Sequence, residues 1–294
     1  MYSQIEANKR NSIILFMLFF ILIGVIVYVL NILFFHGYVF VIMAAIIAVI
    51  FSSISYYSGD KIVLAMSHAK EANKKDHSYL INAVEGLSIA AGIPRPKVYT
   101  IPGMQINAFA CGRSPKTASV VVTEGALSKL SRQELEGVIA HELSHIKNYD
   151  IRVMVLASVL VGIIVFISEI MIRSFIFGGM KSNENSKGSL NFIFIIIGVV
   201  LLILAPIIAQ IIKFAISKKR EYLADASGAL LTRYPKGLAD ALRKIKNDTS
   251  ELKIASNSLN HLFISSVFKK KQFLTKMFVS HPPLEDRIKK LEGM

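Results

Sequence analysis

Four long apolar stretches, 12–35, 38–57, 151–172 and 190–216, decide what this chain can become. As a helix, each is long enough to cross the roughly 30 Å of hydrocarbon in a bilayer. Only His36 and Gly37 separate the first two, which makes them a tight helical hairpin. The first stretch is too long for a signal peptide, is followed by no small-residue cleavage site and runs straight into the second, so it is expected to be retained. A polar loop with Lys181, Glu184 and Lys187 joins the second pair, which Glu169 and Pro206 interrupt. Glu169 can pair one turn on with Arg173 near the membrane edge, and Pro206 would kink the fourth helix. This second hairpin either spans fully or lies partly buried on the protein itself.

Composition follows from those stretches. Hydrophobic residues make up 53% of the 294 positions, more than a soluble domain carries. The net charge of +14, from 34 basic and 20 acidic residues, would ordinarily raise nucleic acid as a partner. Here Lys218, Lys219 and Arg220 flank an apolar stretch, the other basic residues are scattered, and there is no Trp and no aromatic-plus-basic stripe. Flanking charge therefore explains the excess, and no nucleic-acid partner is expected. Lys9 and Arg10 before the first stretch and the cluster at 217–220 after the fourth place both ends in the cytoplasm by the positive-inside rule. Cys111 is the single cysteine, which excludes an internal disulfide and fits a reducing compartment.

With four spans, segments 60–150 and 217–294 lie on one face and can build one domain. The expected organisation is a transmembrane hairpin at 1–59, the first part of a cytoplasmic domain at 60–150, a second hairpin at 151–216 and the rest of the domain at 217–294. Lys61 to Gly92 reads as helical, with Leu80, Val84 and Leu87 at helical spacing. Then "GIPRPKVYTIPGMQINAFACGR" sets Pro and Gly around short β-prone runs, and "ASVVVTEGAL" has the β-branched run of a buried strand. The fold class expected is a mainly α integral membrane protein with an α+β cytoplasmic domain and a small sheet.

The chemistry concentrates in "VIAHELSHIKNYD". Ser131 and Glu134 form a capping box, so a helix starts there with Leu135, Ile139, Leu143 and Ile146 as its apolar stripe. His141 and His145 fall one turn apart on another face, where both imidazoles can reach one ion, and Glu142 beside them can take a proton from an attacking water. The bland alternative is a solvated polar face. Catalytic zinc usually takes three protein ligands, so a third must come from elsewhere. In "KKREYLADASGALL", Glu221 is the best candidate, and Asp225 one turn later can accept the free ring proton of a ligating histidine. Alternatively, the two are surface carboxylates beside a basic run. His145 stands about six residues before the third stretch and Glu221 about five after the fourth, each roughly 8 to 9 Å as helix. One hairpin would thus present both ligand sets at a similar height above the bilayer.

Together "HELSH", "EYLAD", "NAFACG" and "HPPLEDRI" resemble the HtpX family of bacterial membrane zinc metalloproteases, part of the wider group that includes the CAAX prenyl proteases. The resemblance covers most of the chain, including the order of spans and motifs. It implies a zincin-like metalloprotease domain, one Zn2+ held by His141, His145 and Glu221, and Glu142 as general base. It also implies a multi-pass protein of the bacterial cytoplasmic membrane, with its site on the cytoplasmic side and membrane proteins or unfolded polypeptides as substrates in quality control and stress response. Asn107 looks like a substrate-side asparagine beside an edge strand, where an extended peptide can add by β-augmentation; alternatively it is a turn residue after Gly103. His281 matches a family histidine near the scissile carbonyl, where it would steady the oxyanion, or else it simply starts a helix. Cys111 stands where relatives are expected to carry Thr or a similar residue, which touches no catalytic position. His36, His68, His77 and His261 have no companion signal.

Three other functions fit less well. In an intramembrane protease of the site-2 type the HExxH lies within a span, whereas Arg132, Glu134 and Glu136 precede it here in an aqueous stretch. A dedicated CAAX prenyl protease has a larger membrane chamber than four spans enclose. A membrane adaptor with structural zinc needs a fourth protein ligand, and no cysteine lies near the motif.

Overall fold

In a computed structural model, the described residues are 2–30, 38–159, 218–250, 252, 259, 262–264 and 282–294. Two helices of 29 residues each, α1 (Tyr2–Leu30) and α2 (Tyr38–Met66), open the chain and pack on each other. Among the described residues no helix is long and apolar enough to cross a membrane. The expected second hairpin falls mostly at 160–217, outside the described residues.

Helix α2 continues past the expected boundary at residue 59 and stops at Met66. The single helix expected over Lys61–Gly92 is therefore interrupted. His68 takes a left-handed backbone (φ 53), and the chain then pairs β1 (Lys70–Glu71) with Tyr99 and Thr100 before α3 (Ser78–Ala91) begins. Pairing with the sheet overrides the helical spacing, because it satisfies backbone groups that a helix breaking at 67–68 leaves open. Gly92, at φ 69, ends α3 in the left-handed conformation that a side chain resists.

The sheet comprises β1, β2 (Lys97–Ile101), β3 (Ala108–Cys111) and β4 (Ser119–Thr123) in the order β1-β2-β4-β3. β2 and β4 are parallel, and the two outer pairings are antiparallel. β4 reads SVVVT without a polar break because both its faces are covered. Val120 and Val122 meet the helices, whereas Val121 joins Phe109, Cys111 and Ile101 in a second cluster with Val63, Met154, Val155 and Phe263.

Against the first face pack α5 (Arg132–Lys147) and α3; α6 (Lys218–Thr232) and α7 (Pro235–Asn247) pack on α5, and α8 (Leu284–Glu292) packs on α6 and α7. α5 begins at the expected capping box: Ser131 Oγ accepts from Glu134 N–H, and Glu134 Oε2 accepts from Ser131 N–H at 2.6 Å. Leu135, Ile139, Leu143 and Ile146 form its buried stripe. The remaining short helix, α4 (Glu124–Lys129), is capped by Thr123.

Asp248, just past α7, ties the loop before β3 to this frame. Its carboxylate accepts from Ile106 N–H at 2.6 Å, Ser250 N–H at 3.1 Å and Lys129 Nζ at 3.0 Å. Burial alone would raise its pKa, but these donors outweigh burial and hold it at about 2. Because the folded-state pKa lies below the unfolded value of about 3.9, the stabilisation is present above that unfolded value and is lost as pH falls through the folded one. Asp248→Ala is expected to lower the unfolding free energy by about 2 kcal/mol at neutral pH. The difference from wild type should shrink in denaturation curves taken at pH about 2, where the carboxyl group takes up its proton.

Candidate metal centre

Helix α5 carries His141, Glu142 and His145; α6 carries Glu221 and Asp225. The two helices meet at Gly228, where a Cβ would stand 3.0 Å from the backbone nitrogen of His141. A side chain there would press on the α5 backbone, and glycine lets the two helices approach closely. It brings together two motifs that lie far apart in the chain, on either side of the third and fourth apolar stretches.

His141 Nε2 and His145 Nε2 face each other at 3.2 Å. Glu221 completes the group, with Oε2 3.8 Å from His141 Nε2 and Oε1 3.5 Å from His145 Nε2. One ligand atom from each of the three residues lies within 4.8 Å of the others, and all three residues are buried. Behind the rings, Asp225 Oδ1 is 3.0 Å from His141 Nδ1, and Asp150 Oδ2 is 2.9 Å from His145 Nδ1. Each carboxylate accepts from an Nδ1–H, which assigns that tautomer and turns both Nε2 lone pairs toward one point. Two lone pairs at this separation repel unless a proton or a cation lies between them. Two imidazoles and a carboxylate form a donor set that suits zinc and leaves a coordination position open.

The charges around the rings are unequal. Burial pushes the His141 pKa below its usual value, against the Asp225 hydrogen bond and with help from the Arg287 charge. Burial would also lower His145, but its bond to Asp150 and the charge of Glu221 outweigh this and raise it to about 9. Glu142 is 2% exposed. Burial, reinforced by the charge of Glu221, raises its pKa to about 7 against His145, Arg287 and a hydrogen bond from the Ala110 backbone. That bond places Glu142 beneath β3, the edge strand of the sheet.

Arg287 and Asp150 also join the centre; they lie within "HPPLEDRI" and "VIAHELSHIKNYD", but neither is expected from the sequence to act there. Arg287 is fully buried and grips Asp225 with two hydrogen bonds, Nε to Oδ2 at 2.8 Å and Nη2 to Oδ1 at 2.7 Å. Its Nη1 lies 3.4 Å from Glu221 Oε2. Burial would raise the Asp225 pKa, but the Arg287 charge prevails and holds it at about 2. The sequence carries one signal of this role: Arg287 interrupts the apolar face formed by Leu284, Ile288 and Leu291 in α8.

Asn107 directly precedes β3 and is 1% exposed; its Oδ1 accepts from Ala108 N–H at 3.1 Å. The carbonyl of Ala108 accepts from Ile264 N–H at 3.0 Å, so the chain itself occupies part of that edge. His281 and His261 lie outside the described residues.

A model of peptidase family M48 matches residues 74–294. The chain belongs to that family. A protease HtpX homolog of Dictyoglomus thermophilum is 43% identical over 100% of this chain and 94% of its own length. Another, from Listeria monocytogenes, is 42% identical over 100% of both. The crystal structure of S. mikatae Ste24p is similar at a TM-score of 0.45 and 20% identity, covering 86% of this chain and 56% of that one. Membership in M48 makes this chain a metalloprotease and zinc its metal, which the cluster of His141, His145 and Glu221 is able to hold.

Removing Arg287 leaves Asp225 buried without its countercharge. Arg287→Met is expected to cost about 3 to 5 kcal/mol, measured by chemical denaturation, and the added change Asp225→Leu should restore part of that loss.

Proposed function

We propose that this protein is a membrane-bound zinc endopeptidase that hydrolyses peptide bonds of misfolded or damaged membrane proteins on the cytoplasmic side of a bacterial membrane. The observation that carries the reading is the buried pair of imidazole nitrogens 3.2 Å apart, with Glu221 closing the set and Glu142 alongside. In this reading His141, His145 and Glu221 hold the zinc ion. When bound there, zinc supplies Lewis-acid polarisation of the scissile carbonyl and lowers the pKa of water. Glu142 takes the proton of the attacking water and later delivers it to the leaving amine. Asp225 and Asp150 hold the two imidazoles in their ligating tautomer. In the same reading Asn107 lies on the substrate side of the centre, and His281 steadies the oxyanion.

Membrane attachment is supported by α1 and α2, which expose Ile13, Met17, Ile21, Val39, Ile42, Ile46 and Ile50 to their surroundings. On each helix these residues recur every three or four positions, and exposed apolar residues on one helix side fit a lipid or protein interface. With the basic residues at 9–10 and 218–220, it supports a cytoplasmic domain built from 60–150 and 217–294, held between hairpins at 1–59 and 151–216.

Glu142→Gln tests the assignment of the base in purified protein. Zinc content should match wild type, while cleavage of an unfolded polypeptide should fall about 10²- to 10⁴-fold. Undiminished cleavage would remove Glu142 from the mechanism.

A further inference from the structure

We propose that Asn8, in the polar start of α1, is a positioning residue for the zinc ligand His145 and acts through Asp150. Asn8 is 3% exposed, although it precedes the first apolar stretch, and it uses both ends of its amide. Its Nδ2 donates to Asp150 Oδ1 at 2.6 Å and to the Asn148 carbonyl at 2.8 Å. Its Oδ1 accepts from Arg220 Nη1 at 3.0 Å. The other oxygen of Asp150 is the one that holds His145 Nδ1, at 2.9 Å. A single amide thus connects α1 to the carboxylate behind one zinc ligand and to Arg220, the neighbour of another, Glu221.

The turn between α5 and the next helical stretch explains why an external amide is needed there. Tyr149 has a left-handed backbone, φ 61, which a residue with a side chain adopts at a cost. That conformation brings Asp150 back toward His145, and the bond from Asn8 to the Asn148 carbonyl pins the turn. Lys9 lies over the Tyr149 ring at 5.0 Å, so two successive residues of α1 meet successive residues of this turn. Asp150 also lies 3.6 Å from Arg220 Nη1. With Asn8 in place, Asp150 Oδ1 is held by donors on one side and Oδ2 stays directed at the imidazole. The α1 helix is thereby part of the metal centre's scaffold as well as an apolar segment.

The proposal rests on zinc being held by His145, and the test separates the two ideas. Full-length protein in detergent, loaded with zinc, is mixed with a chromophoric chelator, and the rate of zinc release is followed for wild type, Asn8→Ala, Asn8→Asp, Arg10→Ala and Asp150→Asn. Asn8→Ala should release zinc about tenfold faster and alter the visible spectrum of the cobalt-substituted protein, while Arg10→Ala, at an exposed position of the same helix, matches wild type. Asn8→Asp, of the same size, sets a carboxylate against Asp150 and should show the same effect, which guards against a folding defect in the alanine variant. In the double variant of Asn8→Ala and Asp150→Asn, release should be no faster than in Asp150→Asn alone. Release at the wild-type rate from both Asn8 variants, or additive effects in the double variant, overturns the proposal. A wild-type protein that binds no zinc overturns the metal reading beneath it.

Discussion

Two imidazole nitrogens facing each other across 3.2 Å in a buried site form the constraint on which the rest of the structure depends. Neither ring can turn away, because each Nδ1 is held from behind by a carboxylate, Asp225 for His141 and Asp150 for His145. The carboxylates in turn need partners, since burying a charge alone is costly. Arg287 answers for Asp225, and Asn8 with Arg220 answers for Asp150. The centre therefore draws on α1, α5, α6 and α8 at once.

That dependence accounts for features that look unrelated along the chain. Gly228 is bare so that α6 can lie against the backbone of His141. Tyr149 accepts a left-handed backbone so that Asp150 can reach His145. The last helix contributes an arginine from within its apolar face, because the buried carboxylates of Asp225 and Glu221 need a cation beside them.

Much of the centre is legible in the sequence. The capping box places the start of α5, helical spacing puts His141 and His145 on one side of it, and Glu221 and Asp225 stand out as acidic residues one turn apart. The strand in "SVVVT" announces itself through a β-branched run with no polar alternation, which a strand covered on both faces permits. Other parts are hidden. By position alone Asp150 ends the histidine motif, Arg287 stands within "HPPLEDRI" and Asn8 precedes the first apolar stretch, and nothing local ties any of them to a metal ligand. In each case the local pattern is right, and the partner comes from a distant segment or from across a turn that periodicity does not describe.

Local chemistry in the sequence by itself determined the ligand types, their helical spacing, the caps and the apolar stretches, since each depends on residues within a few positions of one another. Tertiary structure alone decided which carboxylate stands behind which histidine, that helix spacing after residue 66 yields to sheet pairing, and that an arginine and an asparagine from opposite ends of the chain are buried in the same centre. Those outcomes depend on the burial of charge between elements, and a buried charge takes its partner from whichever segment the fold brings within hydrogen-bond distance.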